Sequence, residues 1–289
     1  MKYFLALLIF FMLSGISHSA ELTIGLIPEQ NVFKQVERYK PLGDYIEKKT
    51  GNKITFTILS RYGNILDNFH NKKLDGAFWG SFTGAMAIKK LGIEMLARPV
   101  NNDGNSTYWG YIVVRKDSGI KNVQDMKGKS LAFVEQATTA GYIFPMAYFK
   151  EHGVSNIKTY FKEYYFAGSH DAALYAVLDI KADVGCVKNS MLDRLAEKDP
   201  RIKNELVVLA QSPEVPSNGL GLRKEIAFGV KADIKRVLLE MEGDPEGKKI
   251  LEQFGALRFV ETKDSDYTPV FEIAKRAGIT LENYEYINK

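Results

Sequence analysis

Short apolar runs and amphipathic stretches alternate along most of this chain. Residues 22–27 and 54–59 predict strands, because their apolar side chains form a short run or alternate with polar ones. Between them, residues 33–49 repeat apolar and aromatic side chains at helical spacing, and Gly51 predicts the end of that helix. The chain therefore begins with a strand–helix–strand unit.

The same alternation continues to about residue 223. Residues 74–79 predict a buried strand that leads into a helix at Gly80-Ser81-Phe82-Thr83. Further strands are predicted at residues 130–134, 160–166 and 182–187, with helices at 138–152 and 169–178. This order indicates an α/β fold with mainly parallel sheets and helices on both faces.

Two crossings, near residues 114 and 212, divide the predicted fold into two lobes. The outer lobe comprises residues 21–114 plus 212–289, and the inner lobe comprises residues 115–211. Helices are predicted at residues 233–242 and 268–277, and we expect both to pack on the outer lobe. Their charged faces are typical of helices that contact solvent.

The N-terminus has the pattern of a secretory signal peptide, residues 1–20. Lys2 precedes an apolar run at residues 3–13, which is too short to span a bilayer and is followed by small residues. We expect cleavage near Ser19–Ala20 and a soluble periplasmic protein without stable membrane insertion. The alternative is an N-terminal helix that anchors the chain to the membrane.

Composition excludes several classes of site. The chain carries a net charge of +4 without a basic block, which argues against nucleic acid as a partner. Cys186 is the one cysteine, so an intrachain disulfide and a cysteine-based zinc or iron–sulfur site are excluded. Cys186 lies in an apolar run, and we expect a buried thiol. No metal or cofactor is predicted.

Hydroxyl side chains mark one predicted helix start in each lobe. Ligands of open α/β sheets bind at the carboxyl ends of strands, where the free N–H groups of a helix start favour an oxyanion. Thr138 and Thr139 open a helix together with the backbone of Ala140 and Gly141, and Ser81 lies in the equivalent turn of the outer lobe. The alternative is that these hydroxyls only cap their helices.

A histidine marks a third such turn, Gly168-Ser169-His170-Asp171. His170 follows the next long predicted strand of the inner lobe, so it can face the same cleft as Thr138. Its ring nitrogen would then donate a hydrogen bond to a bound oxyanion. A structural cap or a surface position is the alternative.

Several segments, in this order and spacing, resemble the phosphonate-binding (PhnD-like) family of periplasmic proteins, which serve ABC importers of phosphate, phosphite and phosphonates. The segments are Arg38-Tyr39-Lys40-Pro41-Leu42-Gly43-Asp44-Tyr45, residues 74–80, 97–100 and 108–118, Thr138-Thr139-Ala140-Gly141-Tyr142, residues 167–171, Ser212-Pro213 and Val215-Pro216. The resemblance implies a two-lobed type II binding fold whose crossing segments form a hinge. It also implies an ABC transporter permease as partner.

The resemblance implies roles for individual residues. The family's phosphoryl-binding Ser-Thr pair falls on Thr138 and Thr139, and its histidine falls on His170. Two aromatic positions fall on Tyr62 and Trp79, which could instead pack between the lobes. A recurrent family tyrosine falls on Tyr108, either at the ligand or supporting the hinge.

Two further ligand positions depart from part of the family. Members that hold an aminoalkylphosphonate offer carboxylates to its ammonium, and those positions fall on Ser190 and Asn218. Neither residue is acidic here, and Lys188 adds positive charge nearby. A buried ammonium without a carboxylate is strongly penalised. We therefore expect phosphate, phosphite or a small alkylphosphonate rather than 2-aminoethylphosphonate.

Two other function classes are alternatives to a monomeric transport protein. A phosphoryl-processing enzyme would need clustered metal ligands or an activated nucleophile, and the chain has no His-x-His pair, Gly-x-Ser-x-Gly turn or Gly-Lys-Thr phosphate loop. A sensor that signals to a membrane receptor kinase would use the same two lobes. The sequence does not separate the sensor from the transport protein.

Overall fold

The computed structural model describes residues 19–28, 32–60, 63–71 and 73–285. Most of the predicted signal peptide and Tyr62 lie outside these ranges. The described strands are β1 (Glu21–Leu26), β2 (Lys53–Ile58), β3 (Gly76–Trp79), β4 (Glu94–Asn101), β5 (Thr107–Tyr108), β6 (Gly110–Arg115), β7 (Ser130–Phe133), β8 (Glu163–Phe166), β9 (Val184–Lys188), β10 (Leu206–Gln211), β11 (Val215–Pro216), β12 (Gly219–Leu222) and β13 (Ala256–Glu261). The described α-helices are α1 (Val32–Thr50), α2 (Asn64–His70), α3 (Ser81–Lys90), α4 (Phe144–Glu151), α5 (Ile157–Tyr160), α6 (His170–Leu178), α7 (Asn189–Ala196), α8 (Arg201–Glu205), α9 (Phe228–Glu240), α10 (Pro245–Phe254) and α11 (Thr268–Ala277).

The outer lobe is built on a sheet with the strand order β13-β4-β12-β3-β1-β2. β1 pairs in parallel with β2 and β3, whereas β12 pairs antiparallel with β3 and β4, and β13 pairs antiparallel with β4. β1 to β4 therefore run in one direction. The sheet is mixed, because β12, which follows the second crossing, and β13, which follows α10, run in the opposite direction.

The inner lobe is built on a sheet with the order β10-β6-β9-β7-β8. β7 pairs in parallel with β8 and β9, and β6 pairs antiparallel with β9 and β10. The crossing strands β5 and β11 pair with each other through Tyr108 and Val215. Because β6 finds its backbone partners in the inner sheet, the first crossing precedes Gly110, and the expected boundary at residue 114 is wrong.

Helices cover both faces of the outer sheet, as predicted. Phe78 of β3 lies in a buried cluster with Leu42 of α1 and Leu238 of α9. Its neighbour Trp79 belongs to a second cluster, where its ring packs edge-on against Phe69 of α2 at 5.2 Å between centroids. Successive side chains of a strand point to opposite faces, so the two clusters lie on opposite sides of the sheet.

The C-terminal part departs from the sequence prediction. α11 packs against α4 of the inner lobe, where Arg276 Nη2 lies 2.7 Å from Glu151 Oε2, as well as against α3 of the outer lobe, so the predicted packing on the outer lobe accounts for only part of its contacts. Val270 and Ile273 are fully buried in this contact region. β13 is not predicted either, because an edge strand with mixed exposure does not alternate regularly.

Helix α10 of the outer lobe starts with a side-chain cap. Asp244 opens α10 by accepting a hydrogen bond from the backbone N–H of Glu246 at 2.9 Å. It also accepts a hydrogen bond from the Tyr45 hydroxyl at 3.0 Å and pairs with Lys49. The hydrogen bond from Lys49, followed by the one from the Glu246 backbone, lowers the pKa of Asp244 to about 2.

We expect Asp244→Asn to lower the free energy of unfolding at neutral pH, because the amide keeps the cap but loses the ion pair with Lys49. A lowered carboxyl pKa stabilises the fold above the unfolded-state pKa, and this contribution disappears as the pH falls through the folded-state value. The difference between wild type and variant should therefore shrink as the pH falls from about 4 to about 2. Urea unfolding across a pH series measures this difference, with Asp233→Asn at an exposed position of α9 as control. A pH-independent difference would contradict the expectation.

Candidate functional site

Four helix starts follow the carboxyl ends of strands and converge where the lobes meet. α3 begins at Ser81 after β3, and a single π-helical turn begins at Thr139 after β7. α6 begins at His170 after β8, and α7 begins at Asn189 directly after β9. The starts at Ser81, Thr139 and Asn189 have no side-chain cap, although the backbone N–H of Asn189 donates to the Trp109 carbonyl at 3.0 Å.

A small cavity with about 10 Å³ of free volume lies between these helix starts. It is lined by Ile27, Gly80, Ser81, Phe82, Tyr108, Ala137, Thr138, Thr139, His170, Lys188 and Asn218. Drug-sized ligands occupy pockets of about 300–1,000 Å³, so this closed cavity is far too small for them. The structure thus gathers the predicted residues Ser81, Tyr108, Thr138, Thr139, His170 and Asn218 around one cavity.

Hydroxyl groups from both lobes meet in this cavity. Ser81 Oγ of the outer lobe lies 2.6 Å from Thr139 Oγ1 of the inner lobe and also forms a hydrogen bond with the Tyr108 hydroxyl on the crossing strand. A second bridge is formed by Tyr284, whose ring packs on Phe82 and whose hydroxyl donates to the Gln136 carbonyl at 3.0 Å. The lobes are therefore closed around the cavity.

The Thr138–Gly141 turn is shaped by close contacts. The Thr138 hydroxyl donates to the Glu135 carbonyl at 2.6 Å and does not cap the following helix, so the capping alternative does not hold for it. Gly141 lies against the preceding strand end: an added Cβ would be 2.4 Å from Val134 Cβ and 2.6 Å from Thr138 Oγ1. Glycine is therefore required for the turn to take this shape.

The orientation of the His170 ring is fixed by the backbone. His170 is buried, and its Nδ1 accepts a hydrogen bond from the Lys188 backbone N–H at 3.2 Å. With Nδ1 acting as acceptor, the neutral ring carries its proton on Nε2. Neutral imidazole can therefore donate a hydrogen bond from Nε2, as expected for contact with an oxyanion.

Lys188 is a cavity residue that the sequence indicates only as a nearby charge. It ends β9, is 8% exposed, and its Nζ lies 4.3 Å from the centroid of the Tyr108 ring. Its place at the end of a fully buried strand was the available signal, because charged residues are rarely buried without a role. It adds a positive charge to a cavity that already contains several hydrogen-bond donors.

Four predicted residues do not line the cavity. Trp79 is fully buried and donates from Nε1 to the Gly221 carbonyl at 3.1 Å, so it serves core packing. Ala140 and Gly141 lie behind the turn, with Ala140 against Gly110. Ser190 points into a separate groove that also contains Arg38 and Asp193, because α7 turns it away from Lys188. Tyr62 lies outside the described residues.

Three further features of the described residues concern a reactive thiol, a metal site and a membrane-spanning helix. Cys186 is buried as predicted, and burial raises the pKa of its thiol. Within residues 19–28, 32–60, 63–71 and 73–285, no group of three or more His, Cys, Asp or Glu side chains is placed to hold a metal ion. None of the helices in these ranges is both long and apolar enough to cross a membrane.

The sequence pattern of one known family covers most of the chain. The family described as "ABC transporter, phosphonate, periplasmic substrate-binding protein" matches residues 24–267. The chain belongs to this family. Its two lobes and paired crossing strands are those of the type II periplasmic binding fold, as the resemblance implied.

Individual proteins of the phosphonate-binding family are similar to this chain in sequence and in structure. The chain is 28% identical to the "Phosphonates-binding periplasmic protein" of Escherichia coli over 88% of this chain and 75% of that protein. It is 24% identical to the "Probable ABC transporter phosphite binding protein PhnD1" of Prochlorococcus marinus over 96% of this chain and 97% of that protein. The crystal structure of that PhnD1 with methylphosphonate has a TM-score of 0.78 and 22% identity, and covers 89% of this chain and 98% of the other.

Proposed function

We propose that this protein captures a small phosphorus oxyanion (phosphate, phosphite or an alkylphosphonate) between its lobes and delivers it to the permease of an ABC importer. The observation that supports this most directly is the composition of the cavity. Hydroxyl, imidazole, ammonium and amide groups line it, and of its described lining residues none is Asp or Glu. Helix N-termini and such donors favour an anion.

The proposal includes an opening and closing cycle. In the closed lobes, Thr139 and His170 approach from the inner lobe, and Ser81 approaches from the outer lobe. A ligand that contacts both sets of groups binds the closed form more tightly than an open one and shifts the equilibrium towards it. The crossing strands β5 and β11 are the hinge in this proposal, and the ligand leaves when the lobes separate at the permease.

The proposal also covers the location of the protein in the cell and its oligomeric state. The protein acts in the periplasm as a monomer, after cleavage of its leader near Ser19–Ala20, and carries out no reaction on its ligand. Membership in a periplasmic substrate-binding family supports the periplasmic location and the transport role. The names of the relatives, which include phosphonate- and phosphite-binding proteins, support the class of ligand.

The decisive experiment is calorimetric titration of the ligand-stripped mature protein with phosphate, phosphite, methylphosphonate and 2-aminoethylphosphonate. We expect saturable binding of at least one of the first three and none of the fourth. Thr139→Ala and His170→Ala should each weaken binding about tenfold to a hundredfold, which corresponds to one hydrogen bond to a charged group.

Two matched variants control for the loss of a hydroxyl or an imidazole elsewhere. Thr159→Ala removes an exposed hydroxyl that bonds the Asn156 carbonyl, and His152→Ala removes an exposed imidazole next to Tyr148. Neither should change affinity. If the wild type binds none of the four compounds, the proposed ligand class is wrong.

A further inference from the structure

Asn218 contributes a buried donor that the protein itself leaves unsatisfied. The residue lies between the crossing strand β11 and strand β12, and it lines the central cavity at 7% exposure. Its Nδ2 is buried and has no hydrogen-bond partner among the described residues. A buried amide donor is normally paired, so this one indicates an acceptor that arrives with the ligand or as water.

Asn218 and the inner-lobe donors belong to opposite walls of the cavity. Strand β12 follows Asn218 and pairs with β3, so the residue sits beside Gly80 at the outer-lobe wall. Thr139 and His170 belong to the inner lobe. A ligand that reaches Asn218 in addition to Thr139 and His170 must therefore present oxygen atoms in opposite directions.

Phosphate, phosphite and methylphosphonate differ in the fourth substituent on phosphorus. All are tetrahedral at phosphorus, but methylphosphonate replaces one oxygen by a methyl group and phosphite replaces it by hydrogen. If three oxygens face the inner-lobe donors, only phosphate keeps an oxygen on the fourth vertex. An amide suits that oxygen in either protonation state, because Nδ2–H donates to it and Oδ1 accepts from a P–OH group.

We propose that Asn218 contacts the fourth substituent on phosphorus and thereby makes phosphate the preferred ligand over methylphosphonate and phosphite. This inference rests on the proposed function, since it presupposes that a phosphorus oxyanion occupies the cavity. Ile27 and Phe82 also border the cavity and could accept a methyl group or hydrogen, so methylphosphonate or phosphite is the specific alternative that the test must exclude.

The test is calorimetric titration of wild type and Asn218→Leu with inorganic phosphate, phosphite and methylphosphonate at one pH and ionic strength. Wild type should prefer phosphate by about ten- to hundredfold, the contribution of one hydrogen bond to a charged group. Asn218→Leu, which is close in size but has no donor, should reduce phosphate affinity by a similar factor and leave methylphosphonate affinity nearly unchanged. Asn101→Leu is the control, because Asn101 Nδ2 donates to Ser217 Oγ, next to Asn218, and the residue does not line the cavity.

The outcomes separate this inference from the proposed function. Equal or tighter binding of methylphosphonate or phosphite by wild type overturns the role of Asn218 while leaving the oxyanion function intact, and this readout needs no variant. An equal loss of all three ligands in Asn218→Leu also overturns it. Absence of binding for all three in wild type overturns the proposed function itself.

Discussion

Replacing Gly141 with alanine is expected to reduce anion binding by at least about a hundredfold, because the new methyl group has no space. Its Cβ would lie 2.4 Å from Val134 Cβ and 2.6 Å from Thr138 Oγ1, well inside van der Waals contact. Val134 follows a buried strand and is itself fully buried, so the glycine turn must move instead. That movement displaces the hydroxyls of Thr138 and Thr139 and the backbone N–H groups beside them. Calorimetric titration with phosphate and methylphosphonate measures the loss.

The same substitution should also lower the free energy of unfolding, by about 1 to 3 kcal/mol, as overpacking in a dense core usually does. Gly229→Ala on α9 is the matched control, because nothing lies within 4 Å of its added Cβ. The control should bind like wild type and be equally or more stable. Wild-type affinity in Gly141→Ala would show that the Thr138–Gly141 turn does not hold the ligand.

Replacing Lys188 with methionine is the second change expected to have a large effect. The variant keeps the length of the side chain but removes the positive charge from a buried cavity, where charge–charge attraction is much stronger than in water. Loss of the charge and of its charge-assisted hydrogen bond should weaken binding by on the order of a hundredfold or more. Phosphate, phosphite and methylphosphonate should lose affinity to a similar extent, because all three carry the negative charge. Titration of the variant with each anion tests this.

Lys181→Met is the matched control for Lys188. Lys181 lies just before β9, at the other end of the strand from Lys188, and is exposed. Its loss should leave affinity unchanged. Similar affinities for Lys188→Met and wild type would mean that the ammonium has a structural role and does not bind the ligand.

Local patterns were sufficient to find much of the candidate site. Thr138, Thr139 and His170 could be identified because each lies where a predicted strand ends and a helix begins. The carboxyl ends of neighbouring parallel strands meet at the same sheet edge, so this local feature already predicts proximity. The structure places all three around one cavity. Their contact with the ligand remains a prediction.

Other positions could not be placed by such patterns. Trp79 also lies at a strand end and Ser190 at a helix start. The indole nevertheless turns into the outer-lobe core, and α7 turns the serine into a separate groove. A strand or helix end specifies where the backbone lies, whereas the direction of a side chain depends on what packs beside it. The sequence also does not show that Lys188 lines the cavity, because its burial next to Tyr108 is a property of the assembled lobes.

The sequence by itself determined the α/β class, the two-lobed division and the segments that carry the phosphonate-binding family's pattern. These features depend on periodicity and on short motifs, which are local properties of the chain. Only the tertiary structure decided that β6 belongs to the inner sheet, that α11 packs on α4, and that Ser81 meets Thr139 across the lobe junction. Each of these depends on contacts between residues far apart in the chain. Such contacts are selected by backbone pairing and burial in the complete fold, and no local pattern encodes them.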